Sequence, residues 1–94
     1  MKHFVLLKFK SNFYNEEVYN YTKNVFYNIS KLDNIENVQV FKNCNERDSN
    51  VDIMVEMKVK DKDALAFYLQ HDLHRDFVNR VDNHLALKIT FDCE

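Results

Sequence analysis

A short stretch in the second half of the chain gathers side chains that could carry out acid–base chemistry. Tyr68, His71 and His74 lie within seven residues of one another. A neutral imidazole can accept a proton, and a phenol can donate a hydrogen bond to an oxygen that gains negative charge. Such a pair could remove a proton next to a carbonyl group without a metal or a cofactor. The alternative is a core histidine bonded to a tyrosine and kept for packing.

The apolar pattern around these residues predicts two offset helices instead of one. Two stripes show helical spacing, the first made of Leu65, Tyr68 and Leu69 and the second of His74, Phe77, Val78 and Val81. A break between Gln70 and Asp72, with Asp72 capping the second helix, turns both stripes inward. We therefore expect Tyr68 and His74 to face one cavity, roofed by the first helix of the chain and floored by the sheet. In the first turn of its helix, His74 would be held neutral by the helix dipole.

The sequence predicts neither a metal nor a cofactor. His71 and His74 are three residues apart, but no third ligand follows at a spacing that suits zinc. Glycine is absent from the chain. Glycine-rich phosphate loops and dinucleotide-binding turns need the close backbone approach that glycine permits, so neither is expected.

Composition narrows the class of protein further. With 94 residues, 46% of them hydrophobic, we expect one globular domain spanning residues 1–94. The 13 basic residues are scattered and outnumbered by 15 acidic ones, which argues against nucleic-acid binding. No apolar run is long enough for a membrane span or a signal peptide, so we expect a cytoplasmic protein with no membrane contact. Cys44 and Cys93 are then expected to be free thiols.

The periodicity of apolar residues predicts the element order β-α-β-β-α-β. The strands are expected at 2–10, 37–43, 51–59 and after Asn83, with one helix from Asn15 to about Asn34 and the broken helix after residue 61. This order is typical of the ferredoxin-like α+β sandwich, in which the helices cover one face of the sheet. Without glycine, asparagine is expected at the turns because it tolerates left-handed backbone geometry.

The first strand is apolar on both of its faces. His3 and Val5 lie on one face, and Phe4 and Leu6 lie on the other. Such a strand is central in its sheet and covered on both sides. Since the helices can cover only one side, we expect a homodimer that packs sheet against sheet and buries roughly 1,200–2,000 Å².

Two segments resemble the stress-responsive A/B barrel (Dabb) family. These are the opening residues 2–10 and the segment Tyr68 to Phe77, which is similar to the family pattern Tyr-x-x-His-Pro-x-His-x-x-Phe. The resemblance extends over the whole chain and implies a dimeric α+β barrel. Asp72 stands where the pattern has proline, so capping must replace the ring as the cause of the helix break.

The resemblance also implies a function and a set of site residues. Members similar to olivetolic acid cyclase perform a cofactor-free aldol cyclisation, with a catalytic pair at the positions of Tyr68 and His74 and a further histidine at His3. Ile53 replaces another histidine of the cyclase. We expect His71 and Val55 to line the ligand site as well. Two hypotheses follow: a cyclase-like enzyme that binds a small apolar carbonyl compound, or a non-enzymatic stress-associated dimer with a vestigial pocket.

Overall fold

Four strands and three helices make up the molecule. A computed structural model describes residues 1–94. The elements are β1 (Lys2–Phe9), α1 (Glu16–Ile29), β2 (Ile35–Lys42), β3 (Ile53–Val59), α2 (Lys62–Gln70), α3 (Asp72–Val81) and β4 (Leu85–Cys93), with a 3-10 turn at Asp82–His84. The strands form one antiparallel sheet in the order β2-β3-β1-β4, so the predicted ferredoxin-like α+β fold is confirmed. No helix has the length and apolar character needed to cross a membrane.

β1 is a central strand, as predicted. It pairs with β3 on one side and with β4 on the other, so that Val5 lies opposite both Val55 and Thr90. The side of β1 that faces the helices is buried, whereas Phe4 and Leu6 on the opposite side are only partly covered. β1 therefore contributes to two apolar surfaces, and only one of them is covered within the chain.

The uncovered surface continues onto the neighbouring strands. We call it the open sheet face; its large apolar members are Phe4, Leu6, Phe41, Leu87, Ile89 and Phe91. Strand register places Phe91 beside Phe4 and Ile89 beside Leu6. Phe91 is 59% exposed and Ile89 is 44% exposed. A contiguous apolar patch of this kind is typical of a protein–protein interface.

Helix α1 is shorter than predicted. It begins after Asn15, whose side chain accepts a hydrogen bond from the Val18 N–H at 3.0 Å. It ends at Ile29, so the prediction that it continues to about Asn34 is wrong. Asn34 adopts a left-handed backbone with φ of 67°, which turns the chain directly into β2.

Asparagine takes the backbone positions that glycine would otherwise occupy. The residues with positive φ are Asn12, Asn34 and Asn37, as the absence of glycine led us to expect for turns. Asn37 lies inside β2, where the pairing with β3 shifts register between Glu36 and Gln39. An asparagine in the left-handed region thus makes a bulge in an edge strand.

Candidate functional site

A cavity of about 70 Å³ lies between the sheet and helices α2 and α3. Its walls are His3, Val5 and Leu7 from β1, Tyr68 and Leu69 from α2, His74, Phe77, Val78 and Val81 from α3, Leu85, Lys88 and Thr90 from β4, together with Phe26 and Asp82. The expectation that the first helix forms the roof is wrong, because α1 contributes only Phe26 and packs beside β2 instead. Helix α3 forms the roof.

The break between α2 and α3 sets the relative positions of the two candidate catalytic residues. His71 has an extended backbone, and its Nδ1 accepts a hydrogen bond from the Leu73 N–H at 3.1 Å. His71 is therefore the cap of α3, and the prediction that Asp72 is the cap is wrong; Asp72 is the first residue of the helix. The break rotates α3 so that the rings of Tyr68 and His74 approach with centroids 4.8 Å apart.

Tyr68 presents a buried phenol without a partner. Its side chain is completely buried, and its hydroxyl group makes no hydrogen bond. Burial raises the pKa of this phenol well above its usual range, so it stays protonated at neutral pH. Buried hydroxyl groups are usually hydrogen-bonded. Tyr68 is one of the residues that line the cavity, and its hydroxyl group still has a hydrogen bond to donate.

His74 is held as a neutral imidazole with a defined tautomer. Its Nδ1 lies 2.9 Å from the carbonyl oxygen of Leu69, which can only accept, so Nδ1 carries the proton and Nε2 keeps its lone pair. Burial lowers the pKa of His74; the Leu69 carbonyl opposes this, and the charges of Lys88 and His3 lower the pKa further. The Nε2 atom is therefore available as a base near pH 7.

His3 also reaches the cavity, and it is fixed by a carboxylate. The buried His3 ring lies 6.0 Å from the ring of Tyr68, measured between centroids. Its Nδ1 is 2.5 Å from Oδ1 of Asp92, which lies directly opposite on β4. The carboxylate fixes the orientation of the imidazole, as carboxylates do for histidines in many active sites. Sequence reasoning missed Asp92.

The structure separates two of the predicted lining residues from the others. Val55 faces the helices from β3 but is completely buried in the packed core and is not part of the cavity wall. His71 is also outside the cavity, because its ring caps α3 and contacts the ring of Phe67 edge-on. His3, Tyr68 and His74 are the predicted site residues that the fold brings together.

A metal has no evident site among these histidines. Nδ1 of His71 and Nδ1 of His74 are each engaged by the backbone. No group of three or more His, Cys, Asp or Glu side chains is arranged to hold a metal ion.

Comparison with known sequences identifies the family. The sequence profile of the Stress Responsive A/B Barrel Domain matches residues 1–94. The chain belongs to the stress-responsive A/B barrel family. A search of curated proteins found none that matches this chain in sequence.

Solved structures share the fold at low sequence identity. A dimeric ferredoxin-like protein of unknown function from Thermobifida fusca has a TM-score of 0.82 at 14% identity and covers 96% of this chain and 85% of its own. A dimeric protein of unknown function from Bacteroides fragilis has a TM-score of 0.75 at 21% identity, covering 99% and 93%. A hydroxynitrile lyase from Passiflora edulis has a TM-score of 0.78 at 8% identity, covering 96% and 87%. The A/B barrel fold therefore accommodates enzymes, and function must be argued from the site.

Proposed function

We propose that this A/B barrel protein binds a small carbonyl compound in the cavity and removes a proton from the carbon next to the carbonyl group. Nε2 of His74 takes the proton, and the Tyr68 hydroxyl donates a hydrogen bond to the enolate oxygen that forms. The observation that supports this most strongly is the buried, unpaired hydroxyl of Tyr68 beside a neutral histidine. No metal or cofactor is required.

The opposite pKa shifts of the two groups suit these roles. The pKa of Tyr68 is raised, so the phenol remains a donor, whereas the pKa of His74 is lowered, so the imidazole remains a base. A buried polar group without a partner costs about 1–3 kcal/mol. A carbonyl oxygen bound at Tyr68 would relieve that cost, and it would do so most strongly when the oxygen becomes an enolate.

The size of the cavity restricts the ligand. At about 70 Å³ it holds two or three water molecules, each of which occupies roughly 30 Å³ in the liquid. Drug-sized ligands occupy pockets of about 300–1,000 Å³. The expected substrate is therefore a compound of few heavy atoms. A long polyketide would require the walls to move apart.

We also propose that the protein is a homodimer formed through the open sheet face. The chain has no helix to cover Leu87, Ile89 and Phe91, and a second copy would bury them on both sides of a twofold axis. The relatives from Thermobifida fusca and Bacteroides fragilis are described as dimeric, which supports this arrangement.

A second candidate function is a non-enzymatic dimeric module with a vestigial pocket. The small volume of the cavity and its largely apolar wall favour this alternative. Exchange of carbon-bound protons separates the two candidates. Acetone, pyruvamide and pyruvate are incubated in D₂O with the protein, and loss of the methyl signal is followed by proton NMR. An enzyme of the proposed kind accelerates exchange of at least one of these ketones above the rate in buffer, and a vestigial pocket accelerates none.

The substitution Tyr68→Phe tests the role of the phenol. Because its hydroxyl is unpaired, we expect the urea midpoint to stay the same or to rise, while catalysed exchange falls by about 10–100-fold through loss of the enolate donor. Tyr14→Phe is the matched control, because Tyr14 also has a buried, unpaired hydroxyl but lies outside the cavity. A large loss of stability in Tyr68→Phe alone would mean that the phenol is a structural partner.

A further inference from the structure

Strand β4 carries polar residues on the side of the sheet that faces the helices. A strand that the helices cover would be apolar on this side. Lys88 pairs with Leu7, Thr90 with Val5 and Asp92 with His3, so all three share the face of the sheet that carries the helices. Lys88 and Thr90 line the cavity and are nevertheless exposed. The helices therefore leave this edge of the sheet uncovered. Lys88 and Thr90 thus lie where the cavity wall meets solvent, which we call the mouth of the cavity; Asp82 is a third exposed polar residue of this wall.

Lys88 has no partner for its charge. Four of the ten lysines bond to oxygen atoms of the protein: Lys2 to Glu56, Lys8 to the Asp48 carbonyl, Lys10 to the Asn83 carbonyl and Lys42 to Glu16. The other lysines have no such partner, and Lys88 is the one among them that lines the cavity. Lys88 makes neither an ion pair nor a hydrogen bond, and the Thr90 hydroxyl makes none either. The cavity mouth thus offers a free ammonium group beside a free hydroxyl group.

Lys88 lies in the same cavity wall as His74. Burial is the main cause of the lowered pKa of His74, and the charges of Lys88 and His3 lower it further. Two carboxylates lie in the neighbourhood: Asp82 belongs to the cavity wall, and Asp92 is engaged by His3. Lys88 is the only lysine or arginine among the residues that line the cavity, so it is the group there that would attract a negative ligand group.

We propose that the natural ligand of this cavity is a small oxo acid whose carboxylate binds Lys88 and Thr90 at the mouth and whose carbonyl end reaches Tyr68 and His74. Apolar residues of the wall, such as Val5 and Leu85, contact the alkyl group of the oxo acid. This inference rests on the proposed function, and it names the substrate class for the same site. It also explains how a small cavity could select its ligand, since a charged end supplies recognition that a few apolar contacts cannot.

The proton balance in the reaction is simple. A C–H bond next to the carbonyl group breaks, its proton moves to Nε2 of His74, and its electron pair forms the enolate, whose oxygen accepts the hydrogen bond of Tyr68. The carboxylate at Lys88 takes no part in these bonds. Lys88 is therefore a binding and positioning residue. The imidazolium then exchanges this proton for a deuteron from D₂O, and return of the deuteron from Nε2 to carbon completes one exchange event.

Pyruvate and pyruvamide provide the matched probes, because they have the same shape and differ in charge. Binding is measured by amide chemical-shift titration at low ionic strength in wild type, Lys88→Gln, Lys88→Arg and the surface control Lys62→Gln. We expect pyruvate to bind wild type and Lys62→Gln about five- to tenfold more tightly than pyruvamide does. Lys88→Gln should abolish that difference by weakening pyruvate binding far more than pyruvamide binding. Lys88→Arg should restore part of the difference, which it could not do if Lys88 formed an imine.

The outcomes separate this inference from the proposed function. Equal binding of the two probes, no binding of pyruvate, or an equal loss of both in Lys88→Gln would overturn the oxo-acid assignment. If pyruvate binds through Lys88 but no ketone exchanges its protons, the anion site is supported and the proton chemistry fails. If both probes exchange at equal rates and both need His74, the proton chemistry is supported and the oxo-acid assignment fails.

Discussion

Replacing His74 by alanine is expected to lower the protein-catalysed exchange of ketone methyl protons by about 10²–10⁴-fold, the range for loss of one positioned base. The reason is that the proposed base is Nε2 of His74, whose ring lies 4.8 Å from the ring of Tyr68, measured between centroids. Proton NMR in D₂O measures the rate directly. The loss of the bond to the Leu69 carbonyl should lower stability by only about 0.5–1.5 kcal/mol.

The matched control for this substitution is His84→Ala. His84 stacks on Phe13 with ring centroids 4.4 Å apart and lies outside the cavity, so its loss should not change the exchange rate. Unchanged exchange in a correctly folded His74→Ala variant would show that another group is the base. His3, oriented by Asp92, would then be the next residue to replace.

The second large effect is expected at the open sheet face. Ile89→Asp should convert the proposed dimer to a monomer, because twofold symmetry would bury the new carboxylate twice without a partner. Each such charge is expected to cost about 3–5 kcal/mol, so the dissociation constant should rise by at least about 10³-fold. Light scattering at micromolar protein concentration distinguishes the two masses.

Phe67→Asp is a suitable control for the dimer experiment. Phe67 is 60% exposed on α2, away from the open sheet face, so an added carboxylate there should leave the mass of the wild-type dimer unchanged. A monomeric wild type, or an Ile89→Asp variant that remains dimeric, would contradict pairing through this face.

Much of the fold could be predicted from the sequence because local patterns determine it. The alternation in β1 and β3 identified the strands, and the two apolar stripes of residues 65–81 identified the helix break. The end of α1 could not be predicted in the same way. Leu32 continues the apolar stripe of that helix, but it packs on the core from the turn that follows Ile29. Periodicity alone does not distinguish an apolar residue in the last turn of a helix from one in the turn that follows the helix.

The candidate site was predicted only in part. Tyr68 and His74 could be found because each lies on an inward stripe. Lys88, Thr90 and Asp92 were missed because β4 also carries Leu87, Ile89 and Phe91, and the apolar side of a strand is normally taken as the side under the helices. In this fold that apolar side is the open sheet face. Which face a helix covers depends on tertiary packing, as does the volume of the cavity.

Cap chemistry explains why the residue at the helix break was also misassigned. Aspartate is a favoured cap residue and histidine is not among the preferred ones, so Asp72 was chosen from the sequence. In the structure the unprotonated Nδ1 of His71 takes the role of the cap oxygen. The sequence pattern assigned His71 to the ligand site. It could not show that the His71 ring already accepts a hydrogen bond from the Leu73 N–H.

The most direct test of the proposed proton transfer is the pH dependence of ketone exchange, measured together with the NMR titration of His74 in the same protein. The pKa of His74 is lowered, mainly by burial, so it should titrate below the ordinary histidine value of about 6.5. The exchange rate should rise with pH as His74 loses its proton, reach a plateau by neutral pH, and show the same midpoint as the His74 titration. Because the pKa of Tyr68 is raised, ionisation of the phenol should cause no fall in rate below pH 9. A rate that does not depend on pH in this range, or one whose midpoint differs from that of His74, would contradict the assignment of His74 as the base.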